Sequence, residues 1–167
     1  GNLQGVEAAY LSQKAGWDIL VMDRKPMVPA RSLCHSFIQL DVTSEKDLAQ
    51  ALSDVDLVIP ALEKGAALAC LDRVTRNNGI PFAFDPAAYT ISSSKIKSEQ
   101  LFKDTGTATP ARWPECKFPV VAKPDQGSGS QGVEVFNNIT ELQDSLKPHR
   151  PEWLIQEFIP GPSYSLE

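Results

Sequence analysis

The sequence has few of the residues that mark metal-binding, membrane or nucleic-acid-binding proteins. Only three of its 167 residues are cysteine and two are histidine, and the cysteines form no Cys-x-x-Cys pair, so free thiols in a reducing compartment are expected. The formal net charge is -5, and a net anion attracts neither nucleic acid nor an anionic membrane. No apolar run approaches the ~20 residues of a membrane span, and the start of the chain lacks the basic-then-apolar pattern of a signal peptide. We therefore predict a cytoplasmic protein with no nucleic-acid or membrane partner.

The first half of the chain shows a repeated order of strand and helix. Apolar runs that suit strands buried on both faces alternate with segments of helical periodicity. The predicted strands are residues 17–23, 36–42, 55–62 and 81–84, and the predicted helices are residues 4–14, 44–53 and 66–77. This alternation predicts a parallel sheet covered by helices, which is an α/β, Rossmann-like domain over residues 1–92. Because the opening glycine loop has no strand before it, we expect an excerpt of a longer protein in which the first, central strand is missing.

Three residues mark where such a sheet would bind a ligand. Gly5, Glu63 and Asp85 fall in the opening loop or after predicted strands, and parallel sheets bind ligands at the carboxyl ends of their strands. The two carboxylates would there face the ammonium groups of a zwitterionic or diamino substrate. Two alternatives stay open: Asp85 caps the next helix, and Glu63 is solvated.

The pattern changes near residue 92. A helix is predicted over residues 92–106, because serines precede it and Gly106 follows it. The later elements are predicted strands at residues 118–124, 132–136 and 152–159 and a helix at residues 140–146. Two of these strands meet across a tight loop, so the second domain, residues 93–167, is expected to be α+β with an antiparallel component.

The loop between the first two of these strands contains G-x-G-x-x-G at Gly127, Gly129 and Gly132. A dinucleotide-binding loop needs a helix directly after the glycines, whereas VEVF favours a strand. A Walker A loop needs Gly-Lys-Ser/Thr, and a kinase glycine loop has its lysine on the following strand. Here Lys123 precedes the loop, which favours a flap that closes its backbone N–H groups over phosphates while the lysine supplies positive charge. The alternative is a flexible surface loop beside a solvated lysine.

The order of these motifs resembles the ATP-grasp superfamily. A helix that begins with a lysine is followed by VVAKP, a Gly/Ser flap and then IQEFIPG, and this order covers residues 93–167. Three longer segments, LQGVEAAYLSQKAGW, FDPAAYTISSSKIKSEQLFKDTGTATP and YSLE, are similar to the pyrrolysine-biosynthesis ligases (the PylC family) within that superfamily. The resemblance implies a Rossmann-like domain followed by the small, α+β half of an ATP-grasp domain.

The resemblance also assigns nucleotide contacts. Lys95 and Lys123 would neutralise the ATP phosphates, and other residues would form the flap, hold the adenine or bind the ribose. The flap would be Ser128, Gly129, Ser130 and Gln131; the adenine contacts would be Gln156, Glu157, Phe158 and Ile159; and the ribose contact would be Ser163 or Glu167. Many superfamily members have a glutamate where this chain has Ser163, so the ribose contact departs from the pattern. Mg²⁺ is expected, with ligands beyond Glu167, and no metal ligand or catalytic side chain is assigned within this stretch.

For the whole protein the resemblance implies a ligase that uses ATP to join 3-methyl-D-ornithine to the ε-amine of L-lysine through an acyl phosphate. The excerpt alone is expected to be inactive. Another ATP-grasp carboxylate–amine ligase stays open as an alternative, of the D-alanine–D-alanine ligase or carbamoyl-phosphate synthetase type. A nucleotide-binding module without ligase activity is a second alternative. The partners would be small amino acids, and a homo-oligomer is one option that the sequence leaves open.

Overall fold

The structure, a computed structural model, describes residues 3–127, 129–145 and 152–162. It divides the chain into two compact units, residues 1–84 and 85–167. The boundary expected from the sequence, after residue 92, falls at the end of a helix inside the second unit.

The first unit alternates helices and strands. Its elements are α1 (Leu3–Lys14), β1 (Leu20–Asp23), a 3-10 turn (Pro29–Leu33), β2 (Ser36–Gln39), α2 (Glu45–Ala51) and α3 (Gly65–Asn78). Strands β1 and β2 are parallel, with Leu20 opposite Ser36 and Asp23 opposite Gln39. The α/β class and the parallel pairing predicted from the sequence are therefore confirmed.

The strands predicted at residues 55–62 and 81–84 are much shorter than expected. They contribute one isolated parallel bridge between Val58 and Phe82. Two backbone hydrogen bonds support it: Val58 N–H donates to Pro81 at 2.9 Å, and Ala83 N–H donates to Val58 at 2.9 Å. Pro60 and Pro81 have no N–H to donate, and this prevents the ladder from continuing as the apolar pattern predicted.

The core of the first unit lies between these segments and the two helices α2 and α3. Its buried side chains are Leu48, Leu52, Val58, Cys70, Leu71 and Val74. Helix α3 ends at Gly79, whose φ of 67° is the left-handed conformation that glycine adopts without a Cβ penalty. The three cysteines are free, and burial raises the pKa of the Cys70 and Cys116 thiols.

The second unit begins with two short helices where the sequence predicted one. Its elements are α4 (Pro86–Ser92), α5 (Lys95–Asp104), β3 (Val120–Pro124), β4 (Glu134–Phe136), α6 (Ile139–Ser145) and β5 (Trp153–Glu157). Asp85 caps α4 and Ser94 caps α5, each with a side-chain oxygen that accepts a backbone N–H of the first turn. Asp85 followed by Pro86 is a helix-start signal, and the cap confirms the alternative that the sequence left open for Asp85.

The three strands of the second unit form an antiparallel sheet with the order β4-β3-β5. Val121 of the central strand lies opposite Val135 on one side and Gln156 on the other. One face of the sheet is apolar, with the buried residues Val120, Ala122, Phe136 and Leu142 packed together with Cys116. Because side chains alternate along a strand, Lys123 and Gln156 lie on the opposite face. The antiparallel component predicted for this domain is confirmed.

The β3–β4 connection requires glycine most strongly at residue 132. Its φ is 71°, and a Cβ there would lie 2.9 Å from the Cγ atom of Pro124. Gly129 has a similar φ of 64° but nothing within 4 Å of its Cβ position. In both Gly132→Ala and Gly129→Ala, the left-handed backbone costs about 1–2 kcal/mol once a Cβ is present. Only the alanine at residue 132 also clashes with the Pro124 ring. We therefore expect Gly132→Ala to lower the free energy of unfolding by ~1 kcal/mol or more beyond Gly129→Ala. Urea unfolding of the two variants measures the difference, and equal losses would show that the Pro124 contact is unimportant.

Candidate functional site

The loop between β3 and β4 has an unusual run of left-handed residues. Gly127, Gly129, Ser130 and Gly132 have φ values of 117°, 64°, 58° and 71°. Gly129, Ser130 and Gln131 are exposed, and Ser128 lies outside the described residues. Successive N–H groups in such a backbone form concave sites for anions. That this loop binds phosphate stays a prediction from its glycine pattern.

Lys123 lies near the end of β3, just before this loop. It is half-buried, and its Nζ atom donates to the Oε1 atom of Gln156 on the neighbouring strand at 3.4 Å. Gln156 is only 4% exposed, and its Nε2 atom donates to the Oε1 atom of Glu99 at 3.1 Å. The sheet and α5 therefore hold these three side chains in one chain of hydrogen bonds.

Glu99 is the buried carboxylate at the end of this chain of hydrogen bonds. It is 4% exposed, its Oε2 atom accepts a hydrogen bond from Nε of Arg112, and its Oε1 atom lies 3.3 Å from Nζ of Lys103. Burial alone would raise the pKa of Glu99, but hydrogen bonds from Arg112, Gln156 and Lys103 outweigh burial and hold it below its usual value of 4.5. Glu99 is therefore a buried carboxylate whose charge is fully satisfied by donors.

Lys95 contacts the beginning of the glycine loop. Its Nζ atom donates to the carbonyl oxygens of Gly127 at 2.9 Å and Asp125 at 3.4 Å. Asp125 in turn anchors the start of α5, because its Oδ1 atom accepts from Ser94 Oγ at 2.8 Å and from Ile96 N–H at 2.9 Å. Two lysines predicted to bind phosphate thus lie at the loop: Lys123 on the strand that leads into it, and Lys95 against its first carbonyls.

The residues predicted to hold adenine lie at the end of β5 and just after it. The Glu157 Oε1 atom accepts the N–H of Ala111 at 3.1 Å, and the Phe158 N–H donates to Pro119 at 3.0 Å. Phe158 is 41% exposed and Ile159 is 64% exposed. The side chains of Gln156 and Glu157 and the N–H of Phe158 thus already have protein partners, while apolar surface is exposed beside them. Ser163 and Glu167 lie outside the described residues.

Two of the predicted substrate contacts, Gly5 and Glu63, line the same open cavity of the first unit. Gln4 Nε2 donates to Glu63 Oε1 at 2.8 Å, which ties the first turn of α1 to the segment after Val58. Asp85 belongs to the second unit and accepts the N–H groups of Ala87 at 2.8 Å and Ala88 at 3.0 Å. The structure therefore shows the capping role that had been the alternative for Asp85.

Sequence reasoning did not single out Glu99, Arg112 or Asp125. A signal was present for Glu99, because it lies four residues after Lys95 and residues so spaced share one side of a helix. Asp125 directly follows the strand that carries Lys123, in the position where a polar side chain can reach the next element. Arg112 has no local signal, since only the antiparallel bridge to Gln156 brings it to the site.

Within residues 3–127, 129–145 and 152–162, no three His, Cys, Asp or Glu side chains are placed to bind a metal ion together. None of the helices in that part of the chain is long and apolar enough to cross a membrane.

Comparison with known proteins bears on the family and the fold of this chain. Residues 92–167 match a family model described as an ATP-grasp domain. An N5-carboxyaminoimidazole synthetase from Staphylococcus aureus, solved as a complex with ADP, superposes on 95% of this chain and 46% of its own with a TM-score of 0.77 and 21% sequence identity. The chain shares the fold of this synthetase, and its residues 92–167 are the part that matches the ATP-grasp model. A second ATP-grasp neighbour, the biotin carboxylase domain of Hydrogenobacter thermophilus 2-oxoglutarate carboxylase in complex with MgADP, covers 93% of this chain and 42% of its own, with a TM-score of 0.71 and 14% identity.

Sequence relatives narrow the comparison within this fold. The chain is 36% identical over 168 residues to a 3-methyl-D-ornithine–L-lysine ligase from Methanosarcina mazei, which covers the whole chain and 44% of that ligase. A D-alanine–D-alanine ligase from Alcanivorax borkumensis is 30% identical over only 88 residues, or 47% of this chain and 29% of that ligase. The resemblance inferred from short segments is therefore confirmed along the entire chain, which spans less than half the length of the first of these relatives.

We expect acid to destabilise the second unit through Glu99. Its folded-state pKa is below 4.5, so the charged form contributes stability above that value, and this contribution is lost as the pH falls through the lower folded-state pKa. Glu99→Gln should lower the free energy of unfolding at neutral pH by about 2 kcal/mol, because donors to a charged group lose their partner. The variant should also show a shallower loss of stability as the pH falls below 4.5.

Urea unfolding at a series of pH values measures both effects. Glu115→Gln, at an exposed position, is the matched control and should keep the wild-type pH dependence. An unchanged acid slope in Glu99→Gln would contradict the assigned role of this carboxylate.

Proposed function

We propose that this chain supplies nucleotide-binding residues of an ATP-dependent carboxylate–amine ligase. The whole protein is proposed to join 3-methyl-D-ornithine to the ε-amine of L-lysine in pyrrolysine biosynthesis. The observation that carries this proposal is the 36% identity over the full chain to a ligase of that name, whereas the D-alanine–D-alanine ligase match covers 47% of it. The reaction uses small amino acids and ATP, in keeping with a cytoplasmic location.

Lys123 and Lys95 are proposed to neutralise the phosphates. Two contacts support this proposal: Lys123 is held on the sheet just before the loop, and Lys95 donates to the first carbonyls of the loop. The backbone N–H groups of residues 128–132 would close over the same phosphates. The chain then contributes by charge neutralisation and positioning, without a catalytic side chain of its own.

The chemistry proposed for the whole enzyme has two steps. The substrate carboxylate attacks the terminal phosphorus of ATP, which forms an acyl phosphate and releases ADP. The ε-amine then attacks the acyl carbon, the C–O bond to phosphate breaks, and the nitrogen loses a proton to give the amide. Anionic groups approach each other in the first step, which is why two lysines and a ring of N–H donors would lower its barrier.

The remaining nucleotide contacts stay part of the proposal. The backbone from Gln156 and Glu157 to Phe158 and Ile159 would hold the adenine, because the side chains of Gln156 and Glu157 already have protein partners. Ser163 or Glu167 would bind the ribose. Mg²⁺ is included because an ATP-grasp neighbour was solved with MgADP, and no residue of this chain is assigned to it. Gly5 and Glu63 would contact the amino-acid substrate. Asp85, the third predicted contact, has its carboxylate engaged as the cap of α4.

Lys123→Ala should nearly abolish ADP formation by the full-length protein. Loss of a charge that stabilises a transferring phosphoryl group lowers kcat by roughly 10²–10³. ADP release would be measured with Mg-ATP and the pair 3-methyl-D-ornithine and L-lysine. Lys117→Ala, which removes an exposed lysine near the start of β3, should retain wild-type turnover.

The substrate pairs in this assay separate the alternatives. Release that requires both a D-ornithine-type acid and L-lysine supports the proposal. Release with D-alanine pairs instead would keep an ATP-grasp ligase and reject these substrates. Nucleotide binding without release for any pair would indicate a nucleotide-binding module.

Glu63→Gln tests the substrate assignment separately. The glutamine oxygen can still accept the hydrogen bond from Gln4, so the local structure is kept while the negative charge is lost. The KM for the diamino acid should rise about tenfold, the size expected for one charged hydrogen bond, while the KM for ATP stays constant. Glu7→Gln on the exposed side of α1 is the control, and an unchanged KM for the acid in Glu63→Gln would remove Glu63 from the site.

A further inference from the structure

We infer that Glu99 is a positioning residue that sets the place of the Lys123 ammonium through Gln156. The inference rests on the proposed role of Lys123 in phosphate binding. It adds two residues, Glu99 and Gln156, whose function is to orient a third.

The orientation of the Gln156 amide is the first step. An amide has a donor end and an acceptor end, and the two ends of Gln156 meet different partners: Nε2 faces Glu99 at 3.1 Å, and Oε1 faces Lys123 at 3.4 Å. A carboxylate only accepts and an ammonium only donates. A flipped amide would place oxygen against oxygen at Glu99 and N–H against N–H at Lys123. The charge of Glu99 therefore decides that the carbonyl oxygen of Gln156 points to the lysine.

The position of Glu99 is the second step. Arg112 donates from Nε to one carboxylate oxygen, and Lys103 lies 3.3 Å from the other. Arg112 is itself fixed, because its backbone bridges to Gln156 on β5. With 4% of its surface exposed, Glu99 has little room for another rotamer. The carboxylate is thus a fixed reference point for the amide.

The consequence for Lys123 is the third step. A lysine side chain has four rotatable bonds, and ordering them when the ligand arrives weakens binding. The Gln156 oxygen gives the ammonium a favoured position before phosphate is bound. A carboxylate at that place would neutralise the lysine. Gln156 carries no net charge, so it orients the ammonium and leaves its positive charge available for phosphate.

Two substitutions break this chain of contacts at different points. In Glu99→Gln, the new amide oxygen can stay with Arg112, which puts the NH₂ group in the place of Oε1, the atom that Gln156 and Lys103 both contact. An NH₂ group there favours the flipped Gln156 amide, with N–H groups toward Lys123. In Gln156→Met, the side chain keeps a similar volume but offers no acceptor. Leu142→Ala, which opens the apolar core on the opposite face of the same sheet, is a control for lost stability.

The test compares two ligands, AMP-PNP and adenosine, by calorimetric titration of the full-length protein. We expect Glu99→Gln and Gln156→Met each to raise the Kd of AMP-PNP about tenfold, the size of one hydrogen bond to a charged group, and to change the Kd of adenosine less than twofold. Leu142→Ala should lower the melting temperature but leave the ratio of the two Kd values unchanged. In a Lys123→Met background, Glu99→Gln should have no further effect on AMP-PNP.

Three results would overturn the inference. Wild-type AMP-PNP affinity in both variants would show that the contacts do not matter. Parallel losses of AMP-PNP and adenosine would assign Gln156 to the adenine or Glu99 to the fold alone. A wild-type protein that binds AMP-PNP no better than adenosine would remove the proposed function as well, so the two failures are distinguishable.

Discussion

The second unit depends on one strand, β3, that pairs with a neighbour on both sides. Its alternating side chains give the sheet one face that packs with Leu142 of α6 and an opposite face on which Lys123 and Gln156 lie beside Val121 and Leu154. Pairing fixes the register, and a shift of one residue would exchange the two faces. The position of Lys123 relative to Gln156 is therefore a consequence of strand register, and the buried charge of Glu99 can be satisfied only while that register holds.

Much of the fold followed from periodicity, because burial on one or both faces of an element leaves a pattern in the chain. Helix α3 and the strands β1, β3 and β5 were predicted to within a few residues. The strands predicted around Val58 and Phe82 were too long, since an apolar run indicates burial but does not show whether its backbone N–H groups find partners. Helix α4 was missed because it is a single short segment whose start signal, Asp85 with Pro86, was considered only as an alternative.

The site was predictable to the extent that it is local. Lys123 and the glycines adjoin in sequence, and their order excluded the other phosphate-binding loops. Glu99 and Arg112 reach the site from 57 and 44 residues before Gln156 (156 − 99 and 156 − 112), so their meeting is a result of tertiary packing. The sequence alone does not distinguish a solvated glutamate on a short helix from one that, like Glu99, is buried among three donors.

Asp125 has a mechanical consequence for the loop that follows it. Its backbone N–H donates to Glu152, its carbonyl oxygen accepts from the N–H of Lys95, and its carboxylate holds Ser94 and Ile96. With four such attachments, Asp125 ties the end of β3 to the start of α5. The loop that begins after it therefore starts from a fixed point between Lys123 on the strand and Lys95 on the helix.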